Sequence, residues 1–164
     1  MVDENVTRSS RIWRHARAIV LLPGMVAGVV PGVLASIYGV QLGWWTTIGA
    51  VLVADGLIFF VWTLRTFVRQ GRGTLAPWDP TQRLVIDGPY SHVRNPMITA
   101  VLAILAGEAA LLGSVAIAIW LGVFFLMNAI YFPLGEEPGL QARFGADYEE
   151  YRRNVPRWIP RLRP

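Results

Sequence analysis

Two short polar stretches hold most of the side chains able to do chemistry. Gly88-Pro89-Tyr90-Ser91-His92-Val93-Arg94-Asn95-Pro96-Met97 precedes a long apolar run, and Gly135-Glu136-Glu137-Pro138 follows it. Carboxylates such as Glu136 and Glu137 suit hydroxyls or an ammonium, and a guanidinium such as Arg94 grips a carboxylate through two parallel N–H bonds. Aromatic faces such as those of Tyr148 and Tyr151, farther along, can hold a ring or a cation. The run between the stretches, Ile98 to Leu134, carries one charge, Glu108. If it crosses a membrane and returns, the two stretches meet on one membrane face, where polar side chains are costly to keep without a use for them.

Other chemistries are excluded. The chain has no Cys, so there are no disulfides, thiolate metal sites or Cys nucleophiles. Its two His, His15 and His92, are far apart in sequence, and no metal constellation is expected. No Gly-x-Gly-x-x-Gly follows a strand, so a soluble dinucleotide-type fold is not indicated. The net charge is +4. The Arg residues sit beside apolar spans with no basic–aromatic motif, which fits an anionic membrane surface and not nucleic acid.

The elements that must position these residues follow from composition. The chain of 164 residues is 54% hydrophobic and 16% charged, where a soluble domain carries about 25% charge; its mean hydropathy is +0.42. The expected fold is all-α: one polytopic membrane helical bundle, 1–164, with spans at about 18–40, 42–64, 96–112 and 115–134. The last two form a helical hairpin broken at Gly113-Ser114. A cytoplasmic connection, 65–97, and a cytoplasmic tail, 135–164, complete it. Within the connection, Val85-Ile86-Asp87-Gly88-Pro89-Tyr90 reads as a turn. Pro23 and Pro31 should bend the first span. Its Gly24, Gly28, Gly32 and Ser36 allow close backbone approach, either to the second span or to a second copy in a homodimer. Trp44 and Trp45 suit an interfacial belt. Asp55 either lines a cavity or is bonded inside the bundle, and Glu108 reads as a packing or interfacial carboxylate far from the motifs. In the tail, Pro138 suits a first helical turn and Gly145 a helix end. A second short helix, Ala146 to Arg153, puts Phe144, Tyr148 and Tyr151 on shared faces. These tail helices are expected to cap the bundle at the membrane surface.

All 15 basic residues are Arg. They lie before the first span, in the connection and in the tail, and none lies near residues 41 or 113. The positive-inside rule then predicts a multi-pass protein of a bacterial inner membrane with both termini and both motifs in the cytoplasm. Met1 to Arg17 is polar and Arg-rich, and the apolar run after it, too long for a signal-peptide core and without a small-residue cleavage site, reads as a retained first span.

The segment from Gly88 to Pro160 resembles the isoprenylcysteine carboxyl methyltransferase family and, more distantly, the phospholipid N-methyltransferases. The resemblance rests on Gly-Pro-Tyr…Val-Arg-Asn-Pro-Met, a helical hairpin, Gly-Glu-Glu-Pro-x-Leu, Arg-Phe-Gly-x-x-Tyr-x-x-Tyr and Val-Pro-Arg-Trp-Ile-Pro, in that order. It implies an integral membrane enzyme using S-adenosylmethionine, with its cofactor pocket at the cytoplasmic end of the bundle and a lipid or isoprenoid-type acceptor. By that resemblance Arg94 and Pro96 match the family's Arg-His-Pro turn, Glu136 and Glu137 its paired acids, and Leu140, Tyr148 and Tyr151 the tail that closes over the cofactor. The implied cofactor-binding set is Tyr90, Val93, Arg94, Asn95, Pro96, Met97, Glu136, Glu137, Leu140, Tyr148 and Tyr151, with Arg94 and Glu137 as the catalytic pair. Asn95 stands where eukaryotic members carry His, and Ile98 where Tyr is usual; Asn does not titrate near neutral pH. Two alternatives stand beside this reading. One is an NADPH-dependent reductase of the sterol-reductase type, with Arg143, Arg152 and Arg153 for the extra phosphate. The other is a non-catalytic membrane scaffold.

Overall fold

The computed structural model describes residues 20–71 and 83–161. Met1 to Arg17, the start of the expected first span and residues 72–82 of the expected connection lie outside these residues. The described part is helical, with no strand: α1 (Val20–Val29), α2 (Val30–Tyr38), α3 (Trp45–Gln70), α4 (Pro89–His92), α5 (Pro96–Leu111), α6 (Val115–Tyr131), a wide turn at Phe132–Glu136, α7 (Glu137–Phe144) and α8 (Ala146–Asn154). Two continuous helices are long and apolar enough to cross a membrane. Trp45–Gln70 has a mean hydropathy of 2.0 over its most apolar stretch, and Val115–Phe144 has 2.2. Only 22% and 11% of those stretches are buried within the molecule, so most of their apolar surface faces outward. In water such a surface would be an association hazard; in a bilayer it is the solvated face. The expected all-α membrane bundle is therefore the architecture found.

The bundle is organised around α3 and α5, its most extensively packed pair. Gly49, Gly56 and Thr63 lie seven residues apart on α3 and are all buried. A Cβ on Gly56 would sit 2.8 Å from Ile104 Cγ1, and one on Gly107 of α5 would sit 2.7 Å from the Val53 backbone nitrogen. Only glycine lets the two backbones come this close. Phe60, Ala100, Val101, Ile104 and Leu105 fill the adjoining core, with Met97, Trp120 and Phe124 packed against it. α5 has 16 residues, about 24 Å of helix, short of a hydrocarbon core of about 30 Å; it lies between α3 and α6 and presents little surface of its own.

The first span departs from expectation in two ways. Pro23 does not bend an α-helix; Val20–Val29 winds as a π-helix, and α-helical winding begins at Val30 with Pro31 in its first turn. In an i→i+5 ladder the Val26 carbonyl would need the N–H of residue 31, which proline lacks. The Trp120 indole N–H of α6 donates to that carbonyl instead, at 3.0 Å, so a backbone acceptor inside the apolar zone is satisfied. Secondly, the glycine stripe does not pack on the second span. α1 and α2 pack on α5 and α6, and the Cβ positions of Gly28 and Gly32 meet open space. Asp55 also differs: it is exposed on α3, because its neighbour Gly56 takes the inward position.

The second span begins at Trp45 and runs to Gln70, beyond the expected 42–64. The hairpin breaks where expected. Gly113 has φ +57° and the Ser114 hydroxyl accepts from the Ile117 N–H at 3.4 Å. Gln41 N–H donates to Leu112 C=O at 2.9 Å, so the two Arg-free loops share one end of the bundle. α6 does not stop at Leu134. Pro133 is absorbed by the π-wound turn Phe132–Glu136, and the helix continues as α7. Gly145, with φ +53°, then ends α7.

Candidate active site

Three segments distant in sequence converge at the end of the bundle opposite the Gly113 loop. The first is the turn between α4 and α5. Gly88, at φ +60°, starts the short helix Pro89–His92, Val93 is extended and fully buried, and Arg94 and Asn95 lead into Pro96 at the start of α5. The second is the π-turn and α7, carrying Glu136 and Glu137. The third is α8 and the irregular segment after it, 155–161. Two backbone bonds pin that segment to the α4–α5 turn, Arg94 N–H to Pro156 C=O at 2.9 Å and Arg161 N–H to His92 C=O at 3.0 Å. His92 Nδ1 meets the Arg161 carbonyl at 2.7 Å, which makes this residue a tether of the tail.

Glu137 is the node. Its side chain is 8% exposed. Arg94 Nη1 donates to its Oε1 at 2.9 Å, and Arg157 donates twice, Nε to Oε1 at 2.9 Å and Nη2 to Oε2 at 3.0 Å. The two motifs therefore meet through an ion pair, Arg94–Glu137, and a second Arg secures the same carboxylate. Arg94 Nε is buried without a hydrogen-bond partner among the described residues. It is a donor left for something else, since buried polar groups are rarely unpaired.

Beside this node is a cavity of about 90 Å³, lined by Phe67, Leu84, Val85, Tyr90, Arg94, Asn95, Phe132, Glu136, Glu137, Leu140, Tyr148 and Tyr151. Drug-sized ligands occupy about 300–1,000 Å³, so this one has room for one end of such a ligand. Tyr148, Tyr151 and Val155 pack with Leu84, Leu140 and Phe144, and Leu84, Leu140, Tyr148 and Tyr151 of this cluster line the cavity. The Tyr151 hydroxyl donates to the Tyr90 carbonyl at 2.8 Å, linking α8 to α4. Burial, and then the neighbouring Glu137 carboxylate, push the Glu136 carboxyl up to about 7. The Tyr90 hydroxyl is pushed up by burial first and then by Tyr151 and Glu136; Tyr148 is raised by burial and by Glu137, with Arg94 pulling the other way.

Of the residues singled out in sequence, Tyr90, Arg94, Asn95, Glu136, Glu137, Leu140, Tyr148 and Tyr151 line this one cavity. Val93 and Pro96 are buried in the turn, and Met97 packs against the bundle core; they shape the turn without lining the cavity. Sequence reasoning did not single out Arg157, Phe67, Leu84, Val85 or Phe132. Arg157 lies inside Val-Pro-Arg-Trp-Ile-Pro, and an Arg between two prolines, one turn beyond a helix, was the available signal. No group of three or more His, Cys, Asp or Glu residues able to hold a metal occurs among the described residues.

The comparisons bear on the same region. The family model described as phospholipid methyltransferase matches residues 44–147, which takes in both motifs, the hairpin and most of the cavity lining. The chain belongs to the phospholipid methyltransferase family. It is also similar to methanethiol S-methyltransferase 2 of Bradyrhizobium diazoefficiens, with 39% identity over 74 residues, 44% of this chain and 27% of that protein. The match thus spans about a quarter of the relative's length. No solved structure matches. The cavity at the Arg94–Glu137 node, most of whose lining falls within the matched residues, is the candidate site of this family member.

Proposed function

We propose that this protein transfers a methyl group from S-adenosylmethionine to a small lipophilic acceptor or lipid at the cytoplasmic face of a bacterial inner membrane, which it crosses four times with both ends inside. The observation that carries this reading is the cavity, where a guanidinium with one unpartnered N–H, a carboxylate with no hydrogen-bond partner among the described residues and several aromatic rings line one space. That set matches the methionyl end of S-adenosylmethionine. The Arg94 guanidinium suits its carboxylate, Glu136 its ammonium or the ribose hydroxyls, and the rings of Tyr90, Tyr148 and Tyr151 its adenine or sulfonium. Bound there, the cofactor would supply an activated methyl on a cationic sulfur. The chain's own contribution is placement, exclusion of water and fixed dipoles around a charge that disappears as the methyl leaves. No side chain need act as a base for an acceptor that is already anionic. Asn95, which does not titrate near neutral pH, is compatible with such an acceptor.

The relative's name gives methanethiol as an acceptor, and the 39% identity to it over 74 residues supports that acceptor as a second reading. Both are tested by incubating the purified protein with labelled S-adenosylmethionine and, in parallel, a total lipid extract, methanethiol or a soluble protein fraction. Label in a lipid or in a volatile sulfide supports the corresponding reading. Label in proteins alone refutes both. The topology is checked by reporter fusions at residue 41 and at the C-terminus, which should report opposite sides.

A further inference from the structure

Glu136 and Glu137 are adjacent in sequence but have different surroundings. Glu137 accepts three charge-assisted hydrogen bonds, two from Arg157 and one from Arg94, of the roughly four a carboxylate can take. Glu136 lines the same cavity and makes no hydrogen bond or ion pair to a described residue. Arg157 is not among the lining residues, yet it supplies the bidentate part of the clamp. It also arrives on fixed backbone. Pro156, just before it, accepts from Arg94 N–H, and Trp158, just after it, packs between Phe125 and Phe132 at ring distances of 5.3 and 5.7 Å.

We propose that Arg157 is a positioning residue of the methyltransfer site: it engages Glu137 so that Glu136 is the carboxylate presented to the cationic or hydroxyl groups of the cofactor. Three features of the geometry favour this. A planar guanidinium bonded to both carboxylate oxygens fixes the orientation of the carboxylate as well as its distance. Fixing Glu137 at the first residue of α7 sets the helix's rotation, and so the direction of the residue before it. Glu137, with most of its acceptor sites taken, has little left to offer a ligand. The proposal deepens the reading of this cavity as a cofactor site and rests on it.

The test is a double-mutant cycle on the full chain in detergent micelles, with S-adenosylhomocysteine affinity as the readout. Arg157→Gln should weaken binding about tenfold, the loss typical of one charge-assisted interaction. Added to Glu137→Gln it should cost less than about twofold more, since both substitutions break the same link. The pH dependence of binding supplies a readout that loss of general stability would not move. The charged and titratable groups around Glu136 are Tyr90, Arg94, Glu137, Tyr148 and Tyr151, with Arg157 behind Glu137. With Arg157 gone, the less neutralised Glu137 should shift the profile to higher pH. Unchanged affinity and profile in Arg157→Gln, or losses that add fully across the cycle, would overturn the proposal. Hydrogen exchange of the Glu137–Phe144 amides needs no ligand. Arg157→Gln should speed it, and equal rates would sink the clamp even if the wild-type protein binds no S-adenosylhomocysteine, an outcome that would count against the cofactor reading itself.

Discussion

Between α3 and α5, glycines let two backbones touch, and nothing directional is needed to keep them together. At the polar end, segments 43 and 20 residues apart are joined by bonds to one carboxylate, with Glu137 meeting Arg94 and Arg157. The first contact depends on shape and the absence of side chains. The second depends on charge, distance and angle. Shape-based packing suits the bilayer, where lipid is as apolar as the protein and close van der Waals contact is the main source of helix association. Directional bonding suits the end where polar ligands arrive and geometry has to be held closely. A change in the first region should therefore alter stability with little effect on ligand affinity, and a change in the second should alter both.

The largest effect expected is from Glu137→Ala. It leaves two guanidiniums facing each other with no counter-charge, and removing one partner of a buried pair costs about 3–5 kcal/mol. Arg157 is partly exposed, so the lower end of that range is expected, together with a ten- to hundredfold loss of S-adenosylhomocysteine affinity. Denaturation in mixed micelles and titration calorimetry give the two values. A variant as stable and as tight-binding as the wild type would reduce the node to incidental surface pairing. Next comes Gly107→Leu, which forces a side chain against the Val53 backbone. Overpacking of this kind costs about 1–3 kcal/mol, and the comparison requires that affinity in the folded fraction stay within about twofold. A matching loss of affinity would show that the two regions are coupled.

The smallest effect concerns pH. The Glu136 carboxyl is pushed up to about 7, above its unfolded value of about 4.5. In the ligand-free protein its contribution to stability is full below about 4.5 and is lost as pH rises through about 7. Ligand binding should run the opposite way, because the ionised form is the one that meets an ammonium or hydroxyl. Affinity should rise between pH 6 and 8 by about tenfold or less, and Glu136→Gln should flatten the curve. A slope that survives Glu136→Gln would assign the titration to another group.

The two regions also differed in how far the sequence disclosed them. The motif residues on either side of the hairpin, the Gly113 break and the Gly145 stop were readable because each depends on local chemistry: a charge beside an apolar run, or a glycine where φ is positive. The glycines that matter for packing were harder to find. Gly24, Gly28 and Gly32 share a four-residue spacing and attract attention, yet Gly28 and Gly32 face open space. Gly49 and Gly56 are seven apart on α3 and Gly107 lies on α5, so their meeting depends on which helices pair. Arg157 was missed for the same reason. Its partner is 20 residues away, and the flanking prolines that set it apart from most other Arg residues of the tail do not say which carboxylate it meets. Asp55 was placed inward on the assumption that a charge in the middle of a span must be hidden, whereas the inward position on that turn belongs to Gly56.

The π-wound turn at Phe132–Glu136 is, in genetic terms, a matter of a single codon. An α-helix advances about 100° per residue, and a π-turn accommodates one residue more than the α-helical ladder around it. Deleting one residue between Tyr131 and Glu136 would let α6 run on in ordinary winding and rotate everything after it by about 100°, carrying Glu136 and Glu137 away from Arg94. A hairpin with this meeting of motifs and one without it would thus differ by one triplet, with Pro133, which lacks an N–H, disfavouring ordinary α-helical winding at that point.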